Sequence, residues 1–236
     1  MALRVMAVRE AIRALAREYP GQFSAELGID LSEGRSREVF RWLIASVLFG
    51  ARISETIVKR TFRDFVRRAV ASPGAILETG WDGLVEILDQ GGYVRYDFKT
   101  ATKLLDLSRA LTETYDSDLA NLHADAAGPR DLEEKLMSLA SGVGEVTVNI
   151  FLREMRGIWS KAHPLPSDLV VMAAKDRGII PKSVRDRRKV LALLQKAWEE
   201  AGWRKRTFPD LEAMLVRAGM ELRRGKRKGA GASRRE

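Results

Sequence analysis

Apolar residues recur at three- and four-residue spacing along nearly the whole chain, the period of an amphipathic helix. Nowhere do they alternate long enough to make a convincing strand. Residues 3–18 are amphipathic and stop at Tyr19-Pro20-Gly21. "REVFRWLIASVLFGA", residues 37–51, is apolar almost all round, the pattern of a central buried helix. Ser54 stands in the N-cap position of "ETIVKRTFRDFVRRAVA". "SPGAILE" and "WDGLVEILDQ" read as two short helices, and Gly91-Gly92-Tyr93 as a break. "DFKTATKLLDLSRALTETY" predicts a longer helix, and "DSDLANLHA" a short one before a loop through residues 125–129. Asp131 is expected to cap "LEEKLMSLA", with Glu134 completing a capping box. Ser167 or Asp168 caps "SDLVVMAAKDRG"; "KSVRDRRKVLALLQKAWEEAG" and "PDLEAMLVRAG" close the chain. The fold class is all-α, with about ten helices and no internal repeat or long linker.

One junction between helices stands out. In "LMSLASGVGEVTVNIFLREM", residues 136–155, Gly142 ends one helix through a positive φ, and Gly144 lets the next begin at once. The free N–H groups of Gly144, Glu145 and Val146 then lie at the positive end of a helix, a place for a phosphate.

Charge sharpens that reading. The 236-residue chain carries a net charge of +9 and a pI of about 10.0, so a polyanion is the expected partner. The end, "ELRRGKRKGAGASRRE", holds seven basic residues against two acids and has no apolar periodicity, so residues 223–236 are expected to be a disordered basic tail. The remainder is still basic by about four charges. There is no cysteine, which excludes disulfides, thiolate zinc sites, iron–sulfur clusters and cysteine nucleophiles. His123 and His163 are the only histidines, too few for a multi-histidine metal site. No run approaches the roughly 18 apolar residues of a membrane span. The charged N-terminus is unlike a signal peptide, so the expected setting is the cytoplasm, associated with the nucleoid.

The hairpin resembles the helix-hairpin-helix of DNA repair glycosylases, the superfamily of endonuclease III and the 3-methyladenine DNA glycosylases. Its usual form is Leu-Pro-Gly-Val-Gly, two residues, Thr-Ala. Here Gly142, Val143, Gly144 and Thr147 stand in place and the proline is missing. Three more pieces fall in the family's order. "IASVLFGARIS" is similar to its buried helix and following loop, with Arg52 where a polar residue enters the DNA stack. "GGYVRYDFKTATKL" is similar to its wedge turn, with Tyr93 at the wedge position. "PLPSDLVVMAAKDRGI" is similar to the segment bearing the catalytic aspartate, with Asp168 at that position. The resemblance spans residues 37–180.

It implies a two-lobed fold with a DNA-binding groove between the lobes. One lobe is a helical bundle over 36–125; the other joins 1–35 to 126–222 and carries the hairpin, 131–157, and Asp168. Breaking an N-glycosidic bond leaves positive charge on the sugar, which an ionised carboxylate at Asp168 would stabilise while orienting water. Members that also cut the backbone carry a lysine two residues after the second glycine, which forms a Schiff base. This chain has Val146 there, which implies a monofunctional glycosylase. Lys135 and Lys161 lie nearby in sequence as displaced candidates. The family's four cluster cysteines are absent, so packing around Trp198 and Trp203 is expected to hold the C-terminal region.

The target base must first be flipped from the duplex. Trp42, Phe49 and Tyr96 are candidates to line a base pocket, and an aromatic pocket favours an electron-poor alkylated purine. Gly142, Val143, Gly144, Glu145, Val146 and Thr147, with Arg52 and Tyr93, are the expected DNA contacts. The resemblance also implies a Na+ or K+ held at the hairpin by the carbonyls of Ser138, Ala140 and Val143; no cofactor is required. The resulting expectation is a monomeric base-excision repair glycosylase acting on double-stranded DNA. The alternatives are a non-catalytic helix-hairpin-helix DNA-binding protein and a thymine or uracil mismatch glycosylase.

Overall fold

A computed structural model describes residues 2–203 and 206–232, with side chains over 3–203 and 206–225. Every regular element among the described residues is helical, and no helix is long and apolar enough to cross a membrane. The chain divides into two compact units, residues 24–164 and residues 1–23 with 165–236. These boundaries differ from the lobes expected of the sequence: the hairpin belongs with the helical bundle and Asp168 with the terminal helices.

The unit 24–164 is built on α3 (Ser36–Phe49), after α1 (Ala2–Glu18) and the single turn α2 (Phe23–Glu26). As its apolar pattern predicts, α3 is buried from Val39 to Leu48, except for Arg41. α4 (Glu55–Arg67) begins at Ser54, whose hydroxyl accepts the Ile57 N–H at 3.3 Å. α5 (Pro73–Gln90) breaks at Gly80, where φ is 69° and ψ 178°, giving the two short helices expected. α6 (Asp97–Tyr115) packs along α5.

Gly91-Gly92 turns the chain between α5 and α6. A Cβ on Gly91 would fall 2.8 Å from the Cα of Thr61, so only glycine lets α4 and α5 approach this closely. Gly92 takes φ +83°, and the Arg60 guanidinium donates to the Gly91 carbonyl at 2.7 Å. α7 (Leu119–Asp125), α8 (Pro129–Ser138) and α9 (Glu145–Glu154) complete the unit. α8 starts two residues before the expected cap. Gly128 is the N-cap, Pro129, pre-set for a first helical turn, is the first helical residue, and Asp131 reaches back to accept the Ala127 N–H at 2.7 Å. Glu134 pairs with Arg130 instead of closing a capping box.

In the other unit, α10 (Asp168–Asp176) and α11 (Arg187–Ala201) pack with α1 and α12 (Phe208–Ala232). α11 starts later than its sequence pattern suggested, because Asp186 caps it by accepting the Lys189 N–H at 2.7 Å. α12 is buried continuously from Leu211 to Gly219. A Cβ on Gly219 would meet the Leu169 carbonyl oxygen at 2.4 Å, so α10 lies against the α12 backbone. Arg217, 6% exposed, lies 3.6 Å over the Phe23 ring and donates to the Gly21 carbonyl at 2.7 Å. Trp198 and Trp203 are in ring contact at 5.9 Å. The stretch expected to be disordered from residue 223 continues α12 to Ala232. Residues 233–236 lie outside the described residues.

Gly91→Ala is expected to destabilise the protein by about 1–3 kcal/mol, the usual cost of overpacking. Gly74→Ala, with open space around its Cβ, should stay within about 1 kcal/mol of the wild type. Chemical denaturation of both variants checks the contrast; equal effects would contradict it.

Candidate functional site

The hairpin is formed as its glycines require. α8 ends at Ser138, the chain turns through Gly142 at φ +83°, and Gly144 is the extended N-cap of α9. Val143 is 4% exposed and plugs the loop into the core, while its N–H donates to the Ala140 carbonyl at 3.1 Å. Gly144, Glu145 and Val146 are exposed, and no side chain caps α9. The first N–H groups of a helix lack intrahelical acceptors, so this end presents uncompensated donors to solvent. The acids nearby are Glu145 itself and Glu133 on α8. Burial, then Glu145 and Glu134, push the Glu133 carboxyl up.

α9 is fixed from beneath by α3. The Trp42 indole donates to the Phe151 carbonyl at 3.1 Å. Gly50, just past α3, gives room to Thr147: a Cβ there would lie 2.4 Å from its hydroxyl. Thr147 is therefore 4% exposed, a packing residue and not the DNA-facing one expected. Trp42 is fully buried and bonded, so it belongs to the core and not to a base pocket. Phe49 and Tyr96 are half-buried. Phe49 lies 6.5 Å from Trp42, and Tyr96 lies 6.3 Å from Tyr93.

The expected wedge is also corrected. Tyr93 is fully buried, its hydroxyl donates to the Leu48 carbonyl at 2.7 Å, and burial pushes its pKa well up. It anchors the 91–96 turn from inside, and the exposed apolar residue of that turn is Val94, 62% exposed. The residue types in "GGYVRY" do not reveal which side chain faces in. Arg52 is exposed in the loop between α3 and α4, as a DNA-reaching residue requires.

Asp168 is the first residue of α10, behind Ser167 as N-cap. Its side chain is 77% exposed and ion-paired with Arg187, which also donates to the Pro166 carbonyl at 2.8 Å. The Ser167 hydroxyl oxygen is buried without a hydrogen-bond partner among the described residues. Arg187 and Gly219 were not distinguishable in sequence from an ordinary charge run and an ordinary helical glycine. Their roles depend on α11 and α12 meeting the start of α10.

Both displaced lysine candidates are engaged. Lys135 pairs with Asp125 at 2.7 Å, and the Lys161 ammonium is held by the carbonyls of His123 and Ala124 at 2.6 and 3.0 Å. His123 stacks on Trp159 with ring centroids 4.8 Å apart. Burial, then Lys161, lowers its pKa. Val146, at the position of the family's lyase lysine, is 64% exposed. No cluster of histidine and acidic side chains able to hold a metal occurs among the described residues.

No protein-family model matches the chain, and no curated protein is significantly similar to it. Among solved structures it is similar to the crystal structure of H. pylori 3-methyladenine DNA glycosylase (MagIII) bound to 1,N6-ethenoadenine. The identity is 15% and the TM-score 0.54, over 93% of this chain and 98% of that one. At that identity the likeness is one of fold: the chain shares the all-helical fold of that structure.

Proposed function

We propose that the protein is a DNA glycosylase that flips a damaged base from double-stranded DNA and releases it by water attack, leaving the backbone uncut. The observation that carries this reading is the likeness in fold, over nearly the full length of both chains, to a 3-methyladenine DNA glycosylase. The exposed, uncapped start of α9 supports it, because a helix end of this kind suits a phosphate. An alkylated purine is the favoured base, since the similar structure holds 1,N6-ethenoadenine.

Asp168 is the proposed catalytic carboxylate. It is reachable from solvent, and a carboxylate there would stabilise the positive charge that develops on the sugar as the bond breaks. Arg187 holds it in place until substrate arrives. With Val146 in place of an amine, hydrolysis ends at an abasic site. A Na+ or K+ at the hairpin would be held by the carbonyls of Ser138, Ala140 and Val143, oxygen donors of the hard type such ions take. It would stiffen the loop and takes no part in the chemistry.

A second reading is a non-catalytic helix-hairpin-helix DNA-binding protein. The Asp168–Arg187 pair favours it, because a carboxylate committed to a guanidinium is less available to a sugar. Labelled duplexes bearing single 3-methyladenine, hypoxanthine, uracil, G·T or 8-oxoguanine lesions separate the readings, with half of each reaction heated in alkali. The expected result is cleavage only after alkali, strongest on an alkylated purine, and reduced about 100-fold or more in Asp168→Asn. Cleavage without alkali would contradict the monofunctional mechanism. Tight binding with no product on any duplex would favour the second reading.

A further inference from the structure

We propose that the face of α6 bearing Lys99 and Lys103, extended by Arg95 just ahead of the helix, is a second contact for the DNA phosphate backbone, continuous with the hairpin at Gly142. The inference rests on the DNA reading above and adds a surface that the hairpin resemblance does not supply.

Spacing of four places Lys99 and Lys103 on one side of the start of α6, and Arg95 lies two residues ahead of the helix. Arg95 and Lys99 are exposed and Lys103 is half-buried. None of the three side chains makes a hydrogen bond or ion pair among the described residues; Arg95 only lies 5.6 Å from the Tyr96 ring. Most cations of α4 behave differently. Lys59 pairs with Glu26 and Glu55, Arg67 with Asp64, and Arg68, just past the helix, with Glu86, while Arg60 is bonded to the Gly91 carbonyl; the exception is Arg63, which is exposed. Lys59, Arg60 and Arg67 are thus engaged within the fold.

The α6 cations are also placed where folding gains nothing from them. Lys99 is in the first turn and Arg95 precedes it, at the positive end of the helix, where carboxylates are favoured. The acids close by are turned to other tasks. Asp97 accepts the Phe98 N–H at 2.7 Å and lies near Asp89, whose carboxyl it pushes up. Asp106, next along the row, pairs with Arg109 at 3.2 Å. Lys103 adds a desolvation cost, since burial pushes its pKa down and no protein anion offsets it.

Lys103 ends the row against the hairpin. A Cβ on Gly142 would lie 3.1 Å from its Cε and 3.4 Å from its Nζ. The one loop glycine with positive φ therefore admits the lysine stem beside the loop. A row of unpaired cations reaching a helix-hairpin-helix loop complements an extended polyanion. The phosphodiester backbone provides anions at regular spacing and requires no base identity.

The test is fluorescence anisotropy with an undamaged duplex across a salt series. It compares wild type, Lys103→Gln, Lys103→Arg, the exposed pair Arg95→Gln/Lys99→Gln, and Lys196→Gln on α11 as a control outside the row. Each charge removed should lower the salt slope of log K by about 0.9, and the double variant by about twice that. The losses should be the same on lesion-bearing duplex; Lys103→Arg and Lys196→Gln should match wild type. The double variant alters only exposed side chains, and equal thermal melts verify its fold. Wild-type binding with an unchanged slope in the double variant and in Lys103→Gln would overturn the inference and leave the glycosylase reading standing. Absence of wild-type binding and of excision would overturn both.

Discussion

The close seating of α9 on α3 is the constraint on which the unit 24–164 depends. Trp42 contributes both a fully buried indole and a hydrogen bond to the Phe151 carbonyl, so it fixes α9 along its axis as well as against the core. Gly50 removes the side chain that would otherwise strike Thr147 and lift the start of α9. With that end held from beneath, Gly142 and Gly144 turn the chain outward and leave the first amides of α9 in solvent. Val143 supplies the inward anchor that keeps so short a loop from collapsing over them. The proposed phosphate contact is thus a product of core packing.

A parallel arrangement supports Asp168. Gly219 lets α12 lie against the backbone at Leu169, and Arg187 from the start of α11 ties down the carboxylate. Two glycines, Gly50 and Gly219, therefore serve the two candidate elements in the same way: each removes a side chain so that a helix start can be set against its neighbour.

Much of the fold was legible in sequence because helical periodicity and end signals are local. The Ser54 cap, the break at Gly80 and the outward turn at Gly142 follow from residue type alone. Side-chain direction in short irregular stretches was not legible. Tyr93 and Thr147 resemble DNA contacts by position, yet one is bonded to Leu48 and the other packed under Gly50. The lobes were misplaced for a similar reason: nothing in residues 126–164 declares that their apolar faces are spent on α3 and α7. Charge was the least legible property. α4 carries more basic residues than α6, and only the positions of Glu26, Glu55 and Asp64 show that Lys59 and Arg67 are paired within the fold.

The most direct test of the central claim is a titration of isotopically labelled protein with a short duplex, following backbone amide resonances by nuclear magnetic resonance. The amides of Gly142, Gly144, Glu145 and Val146 should shift together with DNA, while the Trp42 indole, held by Phe151, stays where it is. DNA binding that leaves those four amides unmoved would contradict that claim.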